Sequence, residues 1–190
     1  MEILAVFIRK EHRNLLNQEA LEQQLLELPL YQYAFMKTEK LTFTERVRHV
    51  CEECPMYGTS WACPPAVGTV EECQKRCLEY PDFLLISTIT EVDDIANMEQ
   101  TLATRADHEA ITRQVAEMVK TQGVETYVLS TESCAICEHC AYPDAPCRHP
   151  DRMYPCVESH GILVTELAEK YGIEFFNGNI VTWFSLILYR

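Results

Sequence analysis

Glycine is scarce in this sequence, with six among 190 residues, and none of the six belongs to a loop that could cradle a phosphate. There is no Gly-x-Gly-x-x-Gly fingerprint, no Gly-x-Ser-x-Gly elbow and no His-Glu-x-x-His pair. Dinucleotide enzymes, P-loop nucleotidases, serine hydrolases of the elbow type and zincins are thereby set aside. Positive charge is short as well: 16 Lys and Arg stand against 29 Asp and Glu, a formal net charge of −13. That balance argues against a nucleic-acid backbone or an anionic membrane surface as the main partner. Its simplest use is solubility, and its sharper use is docking a basic redox protein. No apolar run is long enough to span a bilayer. The opening stretch, Met1 to Lys10, starts its apolar run after an acidic residue and has no small-residue cleavage site, so it reads as a strand rather than a signal. The expected setting is cytoplasmic, where thiols stay reduced.

No low-complexity linker divides the chain, and 47% of its residues are hydrophobic. One domain over residues 1–190 is expected, with a real core. Residues 2–8 read as a buried strand. A helix runs from about Asn14 to Leu28, with Leu21, Leu25 and Leu28 on one face and Pro29 as its stop. Strands are expected near 31–35, 82–89 and 125–130. A short helix covers 70–79 and a long one 97–122, with Asn97 as its cap, Gly123 as its end and Arg105 and His108 facing solvent. A further helix runs from about Ser159 to Tyr171. Asn177-Gly178 lies between two β-rich runs and signals a hairpin that ends in a strand near Tyr189. The fold class is α/β (α+β): a single mixed sheet, helices packed on it, and two cysteine-rich loops at one edge, near 46–66 and 132–157.

What the chain does have in quantity is cysteine, ten in all. In a reducing compartment that number points to metal rather than disulfides. The densest run is Cys134-x2-Cys137-x2-Cys140, followed by Cys147; a second group, Cys51, Cys54 and Cys63, lies upstream. A two-residue gap lets neighbouring thiolates point at one small inorganic core, and three in a row occur in bacterial ferredoxins. Zinc sites more often use separated Cys-x2-Cys knuckles. The spacing therefore points to iron–sulfur clusters, a [4Fe–4S] type foremost, with zinc as the alternative. The departure from the ferredoxin pattern is Cys147, separated from Cys140 by six residues instead of three.

The flanks fit that chemistry. Cys54 and Cys63 are each followed by proline, which fixes φ and turns the chain away after a ligand. Tyr57 and Trp61 can cover a cluster and exclude water. Arg148 can balance the charge of an anionic centre. His139 and His149 lie beside thiols and are expected to donate hydrogen bonds to sulfur or to face water. Cys73 and Cys77, four apart on a short helix, read more simply as buried thiols than as ligands.

In these two groups the sequence resembles a family known as predicted metal-binding proteins, a domain of unknown function. The likeness rests on Cys51-x2-Cys54-Pro-x-Tyr-Gly with Cys63-Pro-Pro. It rests equally on Cys134-x2-Cys137-x2-Cys140, the run Tyr142-Pro-Asp-Ala-Pro-Cys147-Arg-His-Pro150, and Gly161-Ile162 before a helix. The resemblance implies seven ligands: Cys51, Cys54, Cys63, Cys134, Cys137, Cys140 and Cys147. It leaves Cys73, Cys77 and Cys156 outside its pattern, and it brings no activity with it.

Seven thiols do not make two sets of four, which leaves three arrangements. Cys134, Cys137, Cys140 and Cys147 can hold one cluster while the upstream three hold a second with an open iron. Alternatively Cys73, Cys77 or Cys156 completes the second set. In the third, the upstream group binds zinc as a staple. The first expectation for function is an iron–sulfur protein that carries electrons or supports a larger redox enzyme. Behind it stand a zinc-stapled binding module and, last, an enzyme with a three-cysteine open site.

Overall fold

The computed structural model describes residues 16–173 and 178–190. Its frame is one four-stranded antiparallel sheet in the order β1-β2-β4-β3. The strands are β1 (Gln32–Lys37), β2 (Asp82–Glu91), β3 (Thr126–Leu129) and β4 (Ile180–Tyr189). The central pair β2 and β4 is matched over its whole length, from Asp82 opposite Tyr189 to Glu91 opposite Ile180. Side chains alternate across a strand, and here both faces are covered. Phe83, Leu85, Phe184, Leu186 and Leu188 point into one core, together with Ile162 and Leu167. Leu84, Ile86, Ile187 and Tyr189 point into the other, together with Leu21, Leu25, Val115 and Val119 from the helices. Two-sided burial is why β2 and β4 read as near-continuous apolar runs rather than alternating ones.

The helices are α1 (Gln18–Leu25), α2 (Glu45–Glu52), α3 (Val70–Cys77), α4 (Met98–Ala103), α5 (Arg105–Thr121) and α6 (Val164–Tyr171). Asn17 caps α1, accepting from Ala20 N at 3.0 Å. Thr69 and Glu72 close a reciprocal capping box on α3. Gly172 ends α6 in the left-handed region at φ 65°, where a side chain would be strained. The α+β class with one sheet matches expectation, and the described strands pair antiparallel throughout rather than in a mixed pattern. The strand expected at 2–8 lies outside the described residues, as do positions 174–177 of the expected hairpin. No helix among the described residues is long and apolar enough to cross a membrane.

Three expectations are corrected. The stretch from Arg46 is not all loop: Thr44 caps α2, which carries Cys51 in its last turn. The single helix expected over 97–122 is two, meeting at Thr104, whose hydroxyl accepts from Trp183 Nε1 at 2.8 Å. His108 does not face solvent, and Arg105 is half-buried against the loop that follows β3. His108 is fully buried, with Nδ1 at 2.8 Å from Thr88 Oγ1 and Nε2 at 2.8 Å from Ser185 Oγ. Thr112 Oγ1 joins the same Ser185 hydroxyl at 2.8 Å. A helical wheel places His108 beside Ile111 and Val115. Hydropathy alone assigns it to water because its partners come from distant strands.

Burial pushes the His108 imidazole down to about 4, with Arg105 adding to the effect. A base held neutral in the folded chain binds fewer protons than it does unfolded. Its contribution is therefore complete above pH 6.5 and is lost as pH falls toward 4. His160, also buried, is lowered to about 3 for the same main reason. Each histidine adds up to about 1.4 kcal/mol per pH unit within its window. Urea unfolding measured from about pH 7 to about pH 5 is expected to show stability falling steadily. A flat profile there would mean that both rings are protonated inside the fold.

Candidate metal centre

Two segments build the site, and each hangs from a regular element. The first follows α2. Met56 N donates to Cys54 Sγ at 3.5 Å, and Gly58 N to Pro64 O at 2.8 Å, which closes the chain into a compact lobe. The guanidinium of Arg48 donates to the carbonyls of Ser159 and Gly68 and so ties α2 to the turn at 158–160. Thr44 N donates to Gly161 O at 2.8 Å. Gly161 has φ 74°, and a Cβ there would stand 3.0 Å from both Thr44 O and Val70 Cγ1. Only glycine lets these backbones meet. In this lobe Cys51, Cys54 and Cys63 line a cavity of about 420 Å³, and Cys156 lines it with them.

The second segment leaves the end of β3. Glu132 holds φ 56°, a strained conformation for a residue with a side chain. The segment is clasped by one face of α5, on residues spaced by four. Arg105 donates to Thr131 O and Ser133 O. Glu109 accepts from Ser130 Oγ. Arg113 pairs with Glu109 at 2.5 Å, donates to Arg152 O at 2.9 Å and lies over the Tyr154 ring at 4.6 Å. Both ends of the loop are thus fixed to a rigid helix. Between them Cys134, Cys137, Cys140 and Cys147 line a smaller cavity of about 20 Å³, with Trp61, Arg148 and His149 in its wall.

The lobes complete one another. Trp61 crosses from the first, with Nε1 donating to Ala145 O at 3.0 Å and its ring set edge-on to Tyr142 at 5.0 Å. Ser60 and Trp61 wall the second cavity, while Glu132 and Ser133 wall the first. Cys63 feels both Cys54 in its own lobe and Cys134 in the other, so the two thiol sets are electrostatic neighbours.

Burial is the main force on most of these thiols. It raises Cys51, where Arg48 opposes it and Glu158 and Cys54 add to it. It raises Cys63 and Cys134, and it raises Cys156 well above the ordinary range. Cys140 is the exception. Burial pushes it up, but N–H groups of Tyr142, Trp61 and Ala141 and the Ser60 hydroxyl outweigh that and lower it. Cys147 Sγ accepts from His149 N at 3.4 Å and Cys156 Sγ from Ser159 N at 3.2 Å. Donors aimed at sulfur stabilise thiolate over thiol.

Of the residues singled out from sequence, Tyr57 lies in the wall of the first cavity and Trp61, Arg148 and His149 in that of the second. Arg148 Nη1 donates to His139 O at 2.8 Å, and the His139 ring is exposed. Cys73 and Cys77 lie apart from both thiol sets. Cys73 Sγ donates to Val67 O at 3.4 Å, and Cys77 packs in the core with Tyr80 and Phe83. Cys77 is pushed up to about 12 by burial. Sequence reasoning left Cys156 as one of three possible fourth partners; the fold places it, alone of the three, on the first cavity. All ten cysteines are free thiols. Among the described residues no three Cys, His, Asp or Glu side chains meet closely enough to hold a single metal ion; the sulfurs ring their cavities.

Fold and site together define a class: a small α+β protein whose two cysteine lobes enclose adjoining thiol-lined cavities. The chain belongs to the family described as "Predicted metal-binding protein (DUF2284)", whose model matches residues 34–189. No curated protein and no solved structure matches it.

The clasp on α5 makes a local prediction. Arg105→Ala removes a charged donor from two carbonyls, each such bond contributing roughly 1.5–3 kcal/mol. Amide hydrogen exchange is expected to quicken across residues 130–140 while β2 and β4 keep their protection. Unchanged exchange in that loop would show that Arg105 does not hold it.

Proposed function

We propose that this chain holds two thiolate-bound metal centres side by side and that both are iron–sulfur clusters. The observation that carries the reading is the sorting of eight of ten cysteines into two sets of four, each around its own cavity. Cys134, Cys137, Cys140 and Cys147 form one set, and Cys51, Cys54, Cys63 and Cys156 the other. The sets match the four-thiolate ligation of a [4Fe–4S] cluster, and the Cys-x2-Cys-x2-Cys run matches its spacing. Sulfurs that ring a cavity suit a core whose corners carry the thiolates. Bound clusters would supply one-electron chemistry. The residues around them do the rest: Trp61 and Tyr57 limit water, and the N–H groups and the Ser60 hydroxyl aimed at Cys140 favour its thiolate form. Adjoining sets suit an electron carrier, or an accessory subunit of a redox enzyme, better than an isolated catalyst. The net charge of −13 suits a basic redox partner. Ten free thiols suit a cytoplasmic setting.

Zinc is the second reading, and one observation favours it for the downstream set: that cavity is only about 20 Å³, tight for an inorganic cube, although its thiols would have to draw together to hold a single ion. Metal analysis decides. Anaerobically purified protein is expected to be brown and to hold about eight irons with matching acid-labile sulfide. Cys134→Ala and Cys156→Ala should each lower the iron content by about half, whereas Cys73→Ala should leave it whole. Colourless protein with stoichiometric zinc would overturn the cluster reading. Full metal content in Cys156→Ala would return the upstream site to three ligands.

A further inference from the structure

We propose that a third cavity, beside the cysteine lobes, binds a small organic anion carrying a carboxylate or phosphate on an apolar body. The cavity has a volume of about 470 Å³, within the range of sites that enclose small molecules. Its polar grip comes from Arg76 and Lys120, and its apolar walls from Trp61, Tyr127 and Tyr154.

The charges make the case. Several cations in this acidic chain pair with carboxylates, Arg190 with Glu125 and Glu79, Arg113 with Glu109, and Lys37 with Asp82. Others, Arg48, Arg105 and Arg148, direct their donors at backbone carbonyls away from this cavity. Among the described residues neither Arg76 nor Lys120 has a carboxylate within salt-bridge distance, although Glu72, one turn back on α3, feels the Arg76 charge. Arg76 is nevertheless held in place. Its Nη1 and Nη2 donate to Val67 O at 3.3 and 3.4 Å, Nη1 also reaches Tyr127 Oη at 3.4 Å, and the guanidinium lies 5.9 Å from the Tyr127 ring centre. A fixed guanidinium loses little entropy on meeting an anion. Lys120 sits in the last turn of α5 and brings a second charge. One carboxylate, the exposed Asp151, shares the wall, so the lining stays net positive.

The position gives such a site a use. Trp61 walls both this cavity and the downstream thiol cavity, so a bound anion lies one side chain from that set. Tyr127 Oη is 2.6 Å from His160 Nε2, and His160 Nδ1 is 3.0 Å from Ser159 Oγ. Ser159 in turn donates through its N–H to Cys156 Sγ. The cavity is therefore joined to the downstream set through Trp61 and to the upstream set through Tyr127, His160 and Ser159.

The test uses the full chain, purified anaerobically, titrated calorimetrically with benzoate and with phenyl phosphate at physiological ionic strength. Saturable one-site binding of at least one probe is expected. Arg76→Gln and Lys120→Gln should each weaken it about tenfold, and Asp151→Asn should tighten it. Lys120 is partly exposed at a helix end, so its variant tests the site even if Arg76→Gln fails to fold. No saturable binding of either probe, or equal affinity in wild type and Lys120→Gln, overturns the proposal. Both cations lie outside the thiol sets, so the variants keep wild-type metal content. A failure here leaves the metal reading untouched.

Discussion

Thiols gathered this closely and partly shielded from water cannot all ionise there by themselves. Each thiolate loses water on burial and raises the pKa of its neighbours, as Cys54 and Cys63 do to Cys51. The arrangement is tenable as neutral thiols, or as thiolates facing a cation that offsets their charge. The rest of the architecture follows from holding such an arrangement in place. Flexible loops would let the sulfurs move apart. These loops are instead pinned to α2 by Arg48, to α5 by Arg105 and Arg113, and to each other by Trp61.

The sheet matters because it makes those pins rigid. β2 and β4 are apolar on both faces, and α5 lies against one of them. Through that packed interface runs a polar line, His108 to Ser185 to Thr112. A satisfied buried network of this kind fixes the rotation of α5 about its axis. That rotation decides where Arg105, Glu109 and Arg113 emerge, and they emerge on the second cysteine loop. A substitution inside the core could thus disturb the thiol geometry without touching a cysteine.

Much of the fold was legible in the chain because its signals are local. The leucine face of α1, the apolar stripe of α5, and the strands β2 and β3 are all carried by spacing within one element. So were the cysteine groups, since Cys-x2-Cys geometry is set by a few adjacent dihedrals. What stayed hidden is long-range. Cys156 follows Pro155 alone, with no companion thiol nearby, and only the fold carries it to Cys51 and Cys63. The i, i+4, i+8 run Arg105, Glu109, Arg113 is visible in the sequence but reads as solvated charge. The partners of Arg105 and Arg113 are backbone carbonyls and that of Glu109 is the Ser130 hydroxyl, all from a distant loop, which no pattern on the helix reveals. His108 misled for a related reason: a buried imidazole needs two hydroxyl partners, and Thr88 and Ser185 are remote in sequence.

The two thiol sets differ in a way that bears on what each can do. The downstream set is tight, and Cys140 receives donors from four groups, two of them across the lobe boundary. Such a site is finished by its surroundings, and closed four-thiolate coordination suits structural or electron-carrying service. The upstream set surrounds some 420 Å³ and opens past the exposed side chains of Val50, Met56 and Tyr57. Burial raises Cys51 and Cys63, and it raises Cys156 well above the ordinary range. If one centre in this chain meets other molecules directly, physical chemistry favours the upstream one.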